Sequence, residues 1–123
     1  MDIWRRVILF LAGLFGAAGV AAAAMATHQG GGPQLETAAQ FLILHAAALA
    51  GLSGVILATT GGRTAILVGA SVLALGTALF VGDLGLRGLT ESTYKLGTAP
   101  IGGSVMITGW IIVAIGGLLS RRG

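Results

Sequence analysis

Residues 35–59 read LETAAQFLILHAAALAGLSGVILAT, a stretch apolar over the width of a bilayer that still carries Glu36, Gln40 and His45. A helix crossing hydrocarbon keeps such groups only where a neighbouring helix, water or a ligand satisfies them, because an unserved polar group in lipid is costly. The stretch therefore reads as the inner wall of a small membrane bundle. If Glu36 lies at the interface, Gln40 is roughly 6 Å deeper and His45 roughly 13 Å deeper, close to the bilayer midplane. At 100° per residue His45 shares a stripe with Thr37 and Phe41 and points about 140° away from Gln40, so the two polar groups are expected to meet different neighbours.

The rest of the chain has the same character. Of 123 residues, 55% are hydrophobic and only 9% charged, against about 25% charged in soluble domains. The mean hydropathy is +0.96. Twenty-two glycines sit among Leu, Ile, Val and Ala, where they let helices approach closely in lipid. The absence of cysteine excludes disulfides, thiolate nucleophiles and Cys-based metal or iron–sulfur sites. A pI near 10.7 would suggest nucleic acid in a soluble chain, but here the basic residues stand at the ends of apolar segments and read as topology signals.

Upstream, Met1 to Arg6 (MDIWRR) leads into an apolar run ending at about Ala26. The run could be a signal peptide with Ala24-Met25-Ala26 as its cleavage site; we expect instead a first transmembrane helix over residues 4–26, long enough to cross about 30 Å of hydrocarbon. Ala12 and Gly16, and Gly19 and Ala23, place small side chains on its stripes. The connection Thr27 to Gln34 (THQGGGPQ) has turn composition, and its glycines lack the lysine and hydroxyl of a phosphate loop. His28 has no second ligand at metal spacing and reads as an interfacial or capping group.

Downstream, the second helix is expected over 35–59, the TGGR turn at 60–63, a third helix over 64–82 ending at Asp83, and a fourth over 100–119 opened by Pro100. Between the last two, Asp83, Arg87, Glu91 and Lys95 alternate in sign at spacing four, while Gly85, Gly88 and Gly97 argue for a surface-lying loop with a short helical piece. On the fourth helix Gly102, Gly109 and Gly116 are spaced by seven and line one seam for a close partner. Trp110 lies midway along it, too deep for an interfacial belt, and reads as a packing or inter-subunit anchor. The fold class is thus all-α, a single integral membrane domain of four helices. Arg5, Arg6, Arg63, Arg121 and Arg122 fall on one side and only Arg87 and Lys95 on the other, which places both termini in the cytoplasm and His28 and Glu36 outside.

Thr37 to Leu49 (TAAQFLILHAAAL), a small-residue first helix ending at His28, and Thr98 to Gly103 (TAPIGG) followed by Gly109-Trp110 resemble the bacterial YgdD-like family, a domain-of-unknown-function group of small inner-membrane proteins similar also to eukaryotic transmembrane protein 256. The resemblance runs in order across nearly the whole chain, with Gln40, His45 and Pro100 to Gly103 its most specific points. It departs at Ala26-Thr27-His28, where the family pattern has Gly-Ala-His, and in the more polar stretch before Thr98. It implies a four-helix protein of the bacterial inner membrane and brings no activity, substrate or cofactor.

Three functions are compatible with these residues. The first is an interaction protein or accessory subunit that packs against another membrane protein, or a second copy of itself, through Gly102, Gly109, Trp110 and Gly116. The second is a small channel or transporter for protons or a small solute built on Glu36, Gln40, His45 and Asp83, although no inverted repeats or broken helices accompany them. The third, an intramembrane enzyme, lacks any nucleophile–base pair or metal constellation. We expect no enzyme, cofactor, metal or nucleic-acid partner, and a setting among membrane lipids.

Overall fold

The structure, a computed structural model, describes residues 2–28, 32–90 and 97–123. They form four helices and no strand: α1 Asp2–His28, α2 Gly32–Ala58, α3 Arg63–Thr90 and α4 Ala99–Leu119. Each is long and apolar enough to cross a membrane. The cause is elementary, since in hydrocarbon the backbone must bond to itself and a helix does so within one segment. Hydroxyl side chains follow the same rule by donating to the carbonyl four residues back, as Ser71 does to Leu67, Thr77 to Leu73 and Thr108 to Ser104.

The helices pack in chain order, α1 on α2, α2 on α3 and α3 on α4; α1 meets α3 only narrowly, and no described backbone of α4 approaches α1 or α2. The bundle is therefore open along one side. Its core lies around α3, with Leu67, Ala70 and Leu73 buried against Ile8 and Ala12 of α1, Leu49 and Ile56 of α2 and Met106 of α4.

The α3–α4 contact is the closest in the molecule. Gly69 and Gly76 of α3 interleave with Gly102, Gly109 and Gly116 of α4, so that a Cβ built on Gly69 would lie 3.0 Å from the Val113 nitrogen and one on Gly109 2.9 Å from the Leu73 nitrogen. The partner helix expected on the 102–109–116 seam is thus α3 of the same chain, so that of its two expected roles, helix packing or contact with another polypeptide, the first is seen. The seam is an internal helix-packing contact, because the α3 glycines share its seven-residue spacing and present backbone to it.

Three further differences have physical reasons. First, α3 does not stop at Asp83 but continues to Thr90; a glycine inside a helix costs only about 1 kcal/mol, which the Asp83–Arg87 pair and the packing of this turn offset. Of the expected polar loop, Glu91, Tyr94 and Lys95 lie outside the described residues, as do 29–31 of the first connection. Second, α2 begins at Gly32, where a φ of +63° suits glycine and Pro33 follows without needing its missing N–H. Third, the C-terminus is tied down: Thr60 donates to the Arg121 carbonyl and Gly123 to that of Ala58, both at 2.9 Å, with Thr59 and Arg122 paired as an antiparallel bridge. Gly62, at φ +74°, lies so close to the Gly116 carbonyl that no side chain fits there.

A buried aromatic and imidazole bridge as the candidate functional site

On α2, Phe41 and His45 stand one turn apart on the face turned toward α3 and α4. The His45 side chain is 2% exposed. Its Nδ1 lies 2.9 Å from the Phe41 carbonyl, and Trp110 Nε1 of α4 lies 3.2 Å from its Nε2. An indole has only an N–H to offer, so Nε2 accepts and Nδ1 carries the hydrogen donated to Phe41. Both ring nitrogens are thereby used, and the tautomer follows from the partners.

Around this bond the rings form a chain. His45 stacks on Phe41, their planes 8° apart; Phe41 meets Phe80 of α3 with centroids 4.6 Å apart; and Trp110 tilts onto His45 at 5.8 Å. Since the α2 and α4 backbones do not approach, this aromatic and imidazole bridge is what spans the space between them. Trp110 keeps 41% of its surface exposed, so it anchors within the chain on one side while its other side faces outward. Replacing Trp110 with Phe retains the ring and deletes only the donor. The expected loss is about 0.6 to 1.7 kcal/mol, the range of interhelical hydrogen bonds in membrane proteins, read by denaturant titration in mixed micelles. Stability unchanged from wild type would mean that the 3.2 Å contact contributes nothing.

Glu36 and Gln40 belong elsewhere. Both are exposed and, with Thr27, Ala39 and Ile43, line a groove of about 410 Å³ between α1 and α2. Gln40 has no hydrogen bond to another described residue. His28 ends α1, exposed. Glu36, Gln40 and His45 thus do not converge on one path, as their helical angles required. Among the described residues no group of three His, Asp or Glu side chains is placed to hold a metal.

Asp83 is a site residue whose setting the sequence did not disclose. It is 1% exposed, receives Arg87 Nε and Nη2 at 3.2 Å each, and accepts the Ala99 N–H at 3.1 Å. A carboxylate of α3 therefore caps the first turn of α4, where the helix dipole favours negative charge. Thr98, the residue at the usual capping position, turns instead to the Leu79 carbonyl at 2.7 Å. The spacing-four pair signalled Asp83–Arg87, but nothing local signalled the bond to Ala99. At the opposite end Trp4 Nε1 donates to Ser71 Oγ at 2.7 Å, tying α1 to α3.

Fold and site together define an all-α protein of four membrane-spanning helices with an internal polar bridge. No protein-family model, curated protein or solved structure matches the chain.

Proposed function

We propose that the protein is a helix-packing subunit, without catalytic activity of its own, of a larger membrane assembly or of a homo-oligomer. One observation carries this reading, the outward stripe of α2. Glu36, Gln40, Leu44, Ala47, Gly51, Gly54 and Ala58 fall within about 40° of one line on the helix, and all are exposed. A Cβ on Gly51 or Gly54 would meet no atom within 4 Å. By contrast the outward residues of α4 are bulky, among them Ile101, Ile107, Ile111 and Leu118, as suits contact with acyl chains. Small residues gain nothing from lipid, whereas they let a second backbone come close, and an amide such as Gln40 finds a partner only if one does.

The double substitution Gly51→Leu with Gly54→Leu is expected to release a co-purifying partner or dissociate an oligomer while leaving the helical content and melting temperature of the chain unchanged. Native mass spectrometry from lipid discs reads the result. A wild-type chain that is monomeric and partnerless both there and in mild detergent, or a double variant that keeps its partner, rejects the reading. The small channel or transporter reading then gains weight, with the half-polar groove at Glu36 and Gln40 as its starting point.

Localisation belongs to the same proposal. Arg63, Arg121 and Arg122 gather where the C-terminus is tied to the α2–α3 turn, and Arg5 reaches Ser53 near the same end. This supports a bacterial inner-membrane protein with both termini in the cytoplasm, in keeping with its resemblance to the YgdD-like family. Reporter fusions after Gly62 and after Tyr94 are expected on opposite sides, and finding both on one side would reject this topology.

A further inference from the structure

The end of the molecule that holds the termini carries Arg5, Arg6, Arg63, Arg121 and Arg122 against a single acid, Asp2. Among the described residues two of these guanidiniums are incompletely used: the Nε of Arg5 and the Nε of Arg63 are buried with no hydrogen-bond partner. Among the described residues Arg5 otherwise reaches Ser53 Oγ at 3.4 Å and Asp2 at 3.3 Å, both long. Arg63 opens α3 and Asp2 opens α1, so two helix N-termini, each favouring an anion, point to this same end.

Directly beneath lies an apolar groove of about 360 Å³ between α1 and α3, lined by Trp4, Val7, Leu11 and Phe15 on one wall and by Ser71 and Ala78 on the other. It exists because α1 and α3 meet only narrowly, with the Trp4–Ser71 bond at its mouth. Arg6 stands on the other side of α1 from this wall and lines a separate hollow with Ile3, Val7 and Phe10. From Trp4 to Phe15 the groove runs about 16 Å along the helix, about half of a bilayer's hydrocarbon thickness. Its length is that of one leaflet, and its charge is confined to the headgroup end.

We propose that this groove is a binding site for an anionic phospholipid, with one acyl chain lying between α1 and α3 and the phosphate held by Arg5 and Arg63. A zwitterionic lipid fits the apolar part equally well but brings its own cation to the arginines. Charge complementarity therefore selects the anionic class. The site lies on α1 and α3, away from the α2 stripe, and does not depend on it.

Quenching of Trp4 by brominated lipid tests the assignment. The full chain carrying Trp110→Phe, which leaves Trp4 as its one indole, is placed in phosphatidylcholine bilayers containing a small fraction of phosphatidylglycerol, with bromine on the acyl chains of either lipid in turn. Brominated phosphatidylglycerol is expected to occupy the site on the order of fivefold or more above its bulk mole fraction, the scale of one basic residue acting at a membrane surface. Arg5→Gln with Arg63→Gln should return occupancy to the bulk value, and Ala78→Phe, which fills the groove from α3, should do the same with every arginine in place. Equal quenching by the two brominated lipids at equal mole fraction would overturn the proposal. So would an enrichment that survives the arginine replacements. Loss with the arginine variant but not with Ala78→Phe would overturn the placement of the chain in the groove and leave only a charged surface. Circular dichroism and melting of each variant, required to match the parent, keep an unfolded chain from imitating loss of the site.

Discussion

Replacing Gly102 with valine is expected to separate α4 from α3 and to cost at least about 3 kcal/mol, at or beyond the upper end for overpacking a close contact. A Cβ at this position would collide with the backbone nitrogen of Phe80 and would lie 2.8 Å from the Gly76 carbonyl oxygen. Neither is the far end of a flexible side chain. Only a shift of one whole helix relieves the clash, and the same shift opens the contacts of Gly109 with Leu73 and of Gly116 with Ile66. Set against a typical total of about 5 to 15 kcal/mol, such a loss is large. Gly103→Val is the matched control, since a Cβ there meets nothing within 4 Å and its effect is expected to stay within about 0.5 kcal/mol. Unfolding titrations in mixed micelles compare the two, and a Gly102→Val protein as stable as the Gly103→Val protein would show that the seam is not closely packed.

Removing the Arg87 guanidinium is expected to have the second largest effect. Arg87→Met keeps the side-chain stem but takes the cation from a carboxylate that is 1% exposed. Breaking a fully buried pair costs about 3 to 5 kcal/mol. Arg87 is itself 21% exposed, so about 2 to 3 kcal/mol is the expected loss here. Because Asp83 also holds the Ala99 N–H, the first turn of α4 should lose protection from hydrogen exchange before the rest of the helix does. The double variant Asp83→Leu with Arg87→Met should be less destabilised than Arg87→Met alone, because it leaves no charge to bury. A double variant worse than the single one would assign the energy to the cap at Ala99 rather than to the ion pair.

Much of the candidate site was legible in the chain because helical angle and depth are local quantities. The position of His45 within its apolar stretch placed it near the midplane, and its angle placed it away from Gln40; the structure has it buried, bonded to a facing helix and separate from Gln40. Which helix and which group would face it was not legible. Trp110 stands 65 residues away in sequence, and nothing around either residue encodes their meeting. Phe80, which continues the ring chain into α3, had no local signal beyond being aromatic.

The sequence by itself determined the four spans, because apolar length and backbone self-satisfaction leave hydrocarbon-crossing segments no other form. It also determined the face each polar or glycine residue occupies, because a helix has one periodicity. Only the tertiary structure decided what those faces meet. The glycines at 102, 109 and 116 are turned inward by the matching glycines of α3, whereas Gly51 and Gly54 of α2, like Gly13 of α1, are left outward. The third helix outruns its glycines because Asp83 is paired there with Arg87 and accepts the Ala99 N–H of α4. The physical reason is the same in each case: spacing sets the direction in which a side chain points, whereas the partner in that direction comes from a distant part of the chain.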